Sequence, residues 1–349
     1  FVFFTNMPTN SGMLQNTVTI SDPNLLAKLA GGVRDRYEVM KLLPEEFPQT
    51  PVQRAPGTVA GIDPDFKLPQ VWKTPLAADT NLPLPFNANL TLEGIYAKNL
   101  NAVLQQNINV IGLDDPKMKR FEGPDSRYMY PGQTESRLYP DMDGAYMLTN
   151  TNKGYSYNLN ATLNLNPVEN LNMKLAYTYT GSKEISGNPG AQPYELWQNT
   201  PTVNGGNHLA LTNSQYLTPH RVMAALSYRI PYANHFATSI SLFYTGYNPG
   251  NYSYTYNGDM NQDGINNDLI YIPKSKNELT FVDKNGFTAA EQADAFWKYV
   301  NQDTYLSKHK GEYAEAYSAR YPWINQVDLK ITQDFSIKAG KTTNTLQVS

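Results

Sequence analysis

Two alternating runs, 155–166 and 171–180, carry the clearest pattern of hydrophobic and polar positions in the chain. In the first run, aromatic or aliphatic residues occupy the odd positions from Tyr155 to Leu165, and serine, asparagine or threonine occupies the positions between them. In the second run, the odd positions from Leu171 to Tyr179 are again apolar. A period of two sends successive side chains to opposite faces, so the pattern predicts two β-strands joined by a short Asn-Pro turn at 166–170.

The length and the end residues of this hairpin are informative. Each run is about twice the usual strand length of roughly five or six residues, and it suits the roughly 9–11 residues of a tilted transmembrane strand. Tyrosines lie at the ends away from the turn, and aliphatic side chains fill the middle. An outer-membrane barrel has this arrangement, with apolar side chains toward lipid, polar ones toward the lumen and an aromatic girdle at the interface. A large soluble β-sandwich or lectin-like sheet is the alternative.

The same alternation predicts strands elsewhere, and the connections between strands alternate in length. Further predicted strands are 70–82, 87–98, 99–112, 219–230, 236–246 and 326–338. Short connections lie at 82–86, 166–170 and 231–235, and long ones at 113–144, 184–217 and 250–321. Short turns on one side and long loops on the other are the plan of up-and-down outer-membrane barrels, whereas a Greek-key sandwich does not need this regularity.

We therefore predict an all-β fold, a partial transmembrane antiparallel β-barrel of about 10–12 strands. Its long extracellular loops contain short helices. Residues 67–349 form the barrel segment, and residues 1–66 are a strand end and an extracellular loop region with a short helix near 24–30. In the largest loop, Thr288 and Glu291 have the spacing of a capping box before a helix, and a second short helix is expected near 311–318.

Composition narrows the function classes. The 349 residues include no run of 18 apolar residues that would make a transmembrane helix, which is no argument against a β-barrel. The absence of cysteine excludes disulfides and thiol chemistry, and a net charge of -3 gives no sign of nucleic-acid binding. The first residues are not a signal peptide. Both ends of the chain fall inside strand-like patterns, so we expect a piece of a longer protein.

The segment 259–268, DMNQDGINND, contains the sharpest local motif. Asp259, Asn261 and Asp263, followed by Gly264, match the opening of an EF-hand calcium loop, in which alternate oxygen ligands converge on a hard cation. The match then fails, because position twelve is Ile270 rather than glutamate. Asn267 or Asp268 could close a shorter site. Calcium bound in this loop and an Asx-rich turn leading into a strand LIYIP are both open interpretations.

Aromatic residues in the long loops are candidates for substrate binding, because rings beside asparagine and aspartate suit sugars or peptides. The alternative role for each is packing within the loop. The candidates are Tyr128, Tyr130, Tyr139, Trp197, Tyr252 and Tyr254. No catalytic motif accompanies them, the four histidines lack ligand spacing, and we expect no enzyme activity.

Three segments resemble the C-terminal half of TonB-dependent outer-membrane receptors. They are 56–74 (PGTVAGIDPDFKLPQVWKT), 258–273 (GDMNQDGINNDLIYIP) and 305–335, which ends in ARYPWINQVDLKITQDF. The similarity is greatest to Oar-like receptors with a carboxypeptidase-regulatory-like domain, which are distant relatives of SusC-type glycan importers. The resemblance implies a barrel of about 22 strands in the outer membrane of a Gram-negative cell, closed by an N-terminal plug. This chain lacks the plug, the TonB box and the terminal strands of that pattern.

The resemblance implies active uptake of a substrate too large for porins, such as an oligosaccharide, a peptide or a metal chelate. Expected partners are outer-membrane lipid, the TonB-ExbB-ExbD system acting through the missing plug, and a surface lipoprotein. The alternative is a surface binding or adhesion protein with a barrel anchor and no transport. A barrel enzyme would need a catalytic group at a strand top, and the sequence offers none.

Overall fold

The computed structural model describes residues 22–31, 41, 57–233, 235–278, 280–339 and 342–349. Its main feature is one sheet of 11 strands. The long strands are β2 (Gln70–Asn81), β3 (Asn87–Asn107), β6 (Gly144–Thr151), β7 (Tyr155–Asn166), β8 (Leu171–Glu184), β10 (His220–Tyr232), β11 (Phe236–Tyr247), β14 (Ile324–Ala339) and β15 (Thr342–Val348). The sheet also includes β1 (Thr58–Ile62) and the short β9 (Thr212–Asn213).

Neighbouring strands of the sheet follow the order β1-β6-β3-β7-β8-β10-β11-β14-β15, while β2 pairs with β3 and β9 with β8. All these pairs are antiparallel except β1 with β6. The predicted hairpins β2–β3, β7–β8 and β10–β11 are confirmed, as are the all-β class and the strand over 326–338. Because neighbours are antiparallel, the three short predicted turns lie at one end of the sheet and the long loops at the other.

The register aligns the alternating positions across the strands. One row of directly opposed residues is Leu90, Leu163, Leu175, Ala224, Tyr244 and Val327, and the adjacent row on the same face is Leu165, Met173, Leu226, Leu242 and Leu329. We call this the apolar face. The opposite, polar face carries hydrogen-bonded pairs such as Asn160 with Glu93 and Thr178 with Asn160. The apolar face is open to its surroundings, since Leu329 is 64% exposed.

Aromatic side chains gather at both ends of the apolar face. At the long-loop end, Tyr179 stacks on His220 with ring centroids 5.1 Å apart, and Tyr157 lies 5.7 Å from Tyr179. At the short-turn end, Phe236 lies 5.8 Å from Tyr232. Rows of aliphatic side chains separate these two aromatic groups. For the strands 155–166 and 171–180, the sequence predicted the aliphatic middle and the tyrosines at the long-loop end.

Strand β3 is longer than predicted. Residues 99–107 do not form a separate strand but continue β3, which reaches 21 residues. Its first part pairs with β7 and its last part with β6 in the same register, and the Asn99 amide donates to the Gly154 carbonyl between them. Strands β6 and β7 are thus one line interrupted at 152–154. The sheet therefore extends past the tyrosines toward the long loops, where β1 adds to β6 within the region 1–66 that was expected to be loop.

The helices are α1 (Pro23–Ala30), α2 (Pro193–Gln198) and α3 (Ala289–Gln302), with 3₁₀ turns at Lys276–Glu278 and Leu306–Lys308. The capping box before α3 is confirmed: Thr288 accepts from the Glu291 amide, and the Glu291 carboxylate accepts from the Thr288 amide. The prediction of a second helix near 311–318 is wrong, because that segment consists of turns and one bridge between Tyr271 and Tyr313. The expected strand LIYIP forms only isolated bridges.

Two short pairs complete the loops: β4 (Lys119–Arg120) with β5 (Tyr128–Met129), and β12 (Asn251–Tyr252) with β13 (Ala319–Arg320). The helix near 24–30 is confirmed, with Asp22 capping its N-terminus. The expected strand end at residues 1–4 lies outside the described residues. None of the helices in the described part of the chain has the length and hydrophobicity that crossing a bilayer requires.

Candidate functional site

The buried guanidinium of Arg127 joins two of the long loops. Arg127 has no solvent exposure, and its Nε donates to Asp125 Oδ1 over 2.8 Å. Its two terminal nitrogens reach the other loop, donating to Asp268 Oδ1 (3.2 Å) and to the Leu269 carbonyl (2.7 Å). A buried cation is tolerated only when it is paired and hydrogen-bonded. Arg127 meets this requirement by connecting the loop 113–144 to the loop 250–321.

The middle loop, 184–217, joins the same body through backbone hydrogen bonds. The Leu269 amide donates to the Thr202 carbonyl (2.9 Å), and the Thr202 amide donates to the Asn267 carbonyl (3.1 Å). The Tyr130 hydroxyl donates to the Asn204 carbonyl over 3.0 Å. Val203 of this loop also packs against an apolar cluster of the loop 250–321, which is formed by Leu269, Ile270, Ile272, Val300, Leu306, Ala314 and Ala316. The three long loops are therefore one packed unit.

A cleft of about 380 Å³ opens between this loop unit and the extended end of the sheet. It contains aromatic, amide and charged groups from all three loops and from β1, β3 and β6. Its lining residues are Thr58, Asn107, Val110, Gln133, Ser136, Arg137, Asp143, Tyr146, Tyr194, Trp197, Asp263 and Ile265. A small concave site with aromatic walls and a few convergent polar groups is the usual form of a ligand-binding site.

Three aromatic rings form one side of the cleft. Tyr146 on β6 lies 5.7 Å from Trp197 and 5.8 Å from Tyr194, with the rings inclined by 54° and 65°. Trp197 and Tyr194 come from α2, where Pro193 occupies the first turn and Glu195 closes a capping box with Gln192. Tyr146 and Trp197 are almost fully buried, whereas Tyr194 is 39% exposed.

Asparagines fix this aromatic wall to the sheet. The Trp197 indole donates to Asn207 Oδ1 over 2.8 Å, and the same oxygen accepts from the Asn107 amide. Asn207 Nδ2 in turn donates to the Asn107 carbonyl over 2.8 Å. The position of the indole is therefore set by strand β3, which makes the wall rigid.

Two acidic groups and one basic group line the cleft. Arg137 Nη1 lies 3.1 Å from Asp143 Oδ1, and that pair neutralises itself. Asp263 is 9% exposed, and its hydrogen bonds come from the Ile265 amide (2.8 Å) and the Asn261 side chain (3.4 Å). Burial, together with the nearby charges of Asp268 and Asp259, raises the pKa of Asp263 to about 7 despite the Ile265 amide.

The segment 259–268 forms an Asx-rich turn in this structure. Asp259 accepts from the amides of Asp263 and Gly264, and Asn261 Oδ1 accepts from the Asp263 amide over 2.9 Å. Asp268 Oδ2 accepts from the Met260 and Asn261 amides, while its Oδ1 pairs with Arg127. Within the described residues, no group of three or more acidic or histidine side chains is arranged to hold a metal ion. The oxygens proposed as calcium ligands accept these backbone amides, and calcium binding in the loop stays a prediction.

The structure does not bring the predicted loop aromatics together. Trp197 lines the cleft, and Tyr130 is buried beneath it with its hydroxyl on Asn204. The guanidinium carbon of Arg120 lies over the ring of Tyr128, 3.5 Å from the ring centroid. Tyr139 is exposed beside another pocket. Tyr252 and Tyr254 pack on each other at 5.3 Å in a separate cluster near α3.

Sequence reasoning missed most of the residues that line the cleft. Tyr146 and Asn107 lie on β6 and on the continuation of β3, where the alternation is weak. Tyr194 lies three residues before Trp197, and this helical spacing is the one signal that could have indicated it. In the sequence, nothing distinguishes Arg137 and Asp143 from the other charged residues of the loop 113–144. Comparison of the chain with protein-family models, curated proteins and solved structures gives no match.

Proposed function

We propose that this chain is the wall and outer-loop portion of an outer-membrane β-barrel receptor, and that the cleft is where it recognises its substrate. The observation that carries the proposal is the apolar face, whose aligned rows are exposed and are bounded at both ends by aromatic side chains. Strand β10 spans 13 residues, which is about 40 Å of extended chain. At a tilt of about 45° this corresponds to about 28 Å, close to the apolar band of outer-membrane barrels.

In this proposal the strands form the membrane wall and the long loops bind the substrate. The long loops and the continuation of β3 lie together beyond the tyrosine end of the apolar face, so the cleft would open to the outside of a Gram-negative cell. The sheet edges would pair with strands supplied by the rest of the protein, because a barrel in lipid must close. Active uptake powered by the TonB-ExbB-ExbD system follows from the resemblance to TonB-dependent receptors.

Epitope tags in the full-length protein test the orientation. A tag inserted at Asn285–Gly286, in an exposed loop turn, should be labelled by antibody on intact cells. A tag at Val168–Glu169, in the turn between β7 and β8, should be labelled only after the outer membrane is permeabilised. Labelling of both tags on intact cells, or recovery of the protein outside the outer-membrane fraction, would refute the proposal.

Uptake and surface adhesion are separated by energy dependence. Cells expressing the full-length protein should bind a cleft ligand whether or not the inner membrane is energised, and should accumulate it in the periplasm only when the membrane is energised. Accumulation abolished by a protonophore supports transport. Binding with no accumulation under either condition would identify a surface binding protein with a barrel anchor.

A further inference from the structure

The cleft contains a buried carboxyl group, Asp263, that has no cationic partner among the described side chains that line it. Of the charged groups that line it within the described residues, Arg137 is paired with Asp143, which leaves Asp263 as the unbalanced one. Arg127, a buried cation of the loop unit, is already shared between Asp125 and Asp268. Burial without a cationic partner disfavours the ionised form of this carboxyl, and a ligand that brings a positive charge would stabilise that form.

The walls of the cleft favour one kind of cation. The rings of Tyr146, Tyr194 and Trp197 are inclined to one another and line the same space as Asp263. The faces of aromatic rings attract cations that have lost their hydration shell, and cages of several rings recognise quaternary alkylammonium groups. Such a group is weakly hydrated, so it gives up water at less cost than a small metal ion. Burial and the nearby charge of Asp263 also raise the pKa of Tyr194.

We propose that the cleft binds a ligand carrying an alkylammonium group, with the cation held between Asp263 and the rings of Tyr146, Tyr194 and Trp197. This assignment rests on the proposed receptor function for its biological meaning and names the chemical class that the receptor would recognise. The amide and hydroxyl groups of Asn107, Gln133 and Ser136 line the remainder of the space and would contact a polar part of the same ligand.

Choline and its neutral carbon isostere, 3,3-dimethyl-1-butanol, test the charge requirement on the purified full-length protein. The two probes have the same shape, and only choline is charged. Isothermal titration calorimetry should show saturable choline binding at least about tenfold tighter than binding of the alcohol. Equal affinities, or no binding of choline, would overturn the proposal. Calcium that displaces choline would also overturn it, because Asp263 would then be a metal ligand.

Two pairs of variants locate the cation. Asp263→Asn keeps an oxygen that can accept from the Ile265 amide, so the loop should fold, and choline affinity should fall at least about tenfold. Asp141→Asn removes the same charge from an exposed position that does not line the cleft, and it should have little effect. Tyr194→Phe keeps the ring and should retain binding, whereas Tyr194→Leu should weaken it severalfold. If Asp263→Asn and Tyr194→Leu, each tested as a single variant, both left the choline affinity unchanged, the site would be refuted.

The choline measurements and the tag experiment test separate hypotheses, so either one can be refuted without the other. Choline binding to purified protein does not depend on membrane orientation, so a refuted topology with intact binding would leave a cation-binding cleft in a protein of another kind. Correct topology without choline binding would leave the receptor and remove the alkylammonium ligand class.

Discussion

At the scale of single residues, Arg127 determines how the loops are held together. Its guanidinium has no solvent exposure and contacts two carboxylates, one carbonyl and the rings of Tyr256 and Tyr313. Removing one member of a buried ionic group leaves the others buried and unpaired, which costs far more than losing an exposed pair.

We expect Arg127→Met to destabilise the loop unit by about 3–5 kcal/mol, because Asp125 and Asp268 would keep their burial and lose their cation. Thermal unfolding followed by tryptophan fluorescence, with limited proteolysis of the loops, measures the effect. Lys276→Met is the matched control. The side chains of Lys276 and its partner Asp294 are 38% and 67% exposed, so this change should cost less than about 1 kcal/mol. Equal losses would show that burial of Arg127 is not what matters.

The shifted carboxylates make the stability of the loop unit depend on pH. The pKa of Asp263 is raised from 3.8 to about 7, and burial raises that of Asp268 to about 6. The folded protein therefore holds these protons more tightly than the unfolded chain does. The contribution of both groups is fully present below about pH 4 and is lost as the pH rises to about 7.

Unfolding temperatures of the loop unit should therefore fall between about pH 4 and pH 7, and Asp263→Asn should remove much of that fall, because an amide does not ionise. The pH dependence of the unfolding temperature that remains in Asp263→Asn would come from Asp268. A control in which Asp283, an exposed loop residue, is changed to asparagine should retain the wild-type slope. A wild-type unfolding temperature that rises with pH over this range would contradict the assignment.

At the scale of elements, β3 and the β6–β7 line form the support on which the cleft is built. Their common register continues through the interruption at 152–154, where Gly154 has φ of +112°. A Cβ at Gly154 would lie 2.5 Å from Asn99 Nδ2 and 3.2 Å from the Lys183 carbonyl oxygen. The junction therefore requires glycine both for its backbone conformation and for space.

We expect Gly154→Val to destabilise the protein by about 1–3 kcal/mol and to loosen β6 relative to β7, because the conformation is strained for any other residue. Hydrogen exchange of the β6 amides should show the local effect. Gly61→Val on β1 is the matched control, since nothing lies within 4 Å of its Cβ position. Unchanged exchange in the Gly154 variant would contradict this account of the junction.

At the scale of the whole molecule, the sheet has two chemically distinct faces, and the proposed membrane position depends on them. Leu163 lies on the apolar face opposite Leu90 and Leu175, whereas Asn164 lies on the polar face opposite Asn89 and Lys174. The two positions are adjacent in sequence and differ in the face to which they point.

In the full-length protein folded into bilayers, Leu163→Arg should cost about 2–4 kcal/mol, because the charge would lie in the middle of the apolar band. Asn164→Arg should cost much less, since its side chain would face the interior. Unfolding titrations in lipid vesicles measure both values. Similar costs would contradict the assignment of the faces and the proposed membrane position with it.

The sequence alone determined the strands of the three hairpins and the strand over 326–338, the two faces of those strands and the separation of short turns from long loops. These features are local: a period of two over about ten residues sets the facing, and a short turn sets the register. The capping box of α3 was predictable for the same reason, because Thr288 and Glu291 lie three residues apart.

Only the tertiary structure decided how the loops form a site. Arg127 contacts Asp268 across 141 positions, and Asn107 contacts Asn207 across 100. Such pairings depend on where folded strands place the loop ends, and no local pattern encodes that. The oxygens of 259–268 illustrate the difference. Their spacing fits calcium ligands, and only the folded loop shows that these oxygens also accept backbone amides and that, of the four candidate residues, Asp263 lines the cleft.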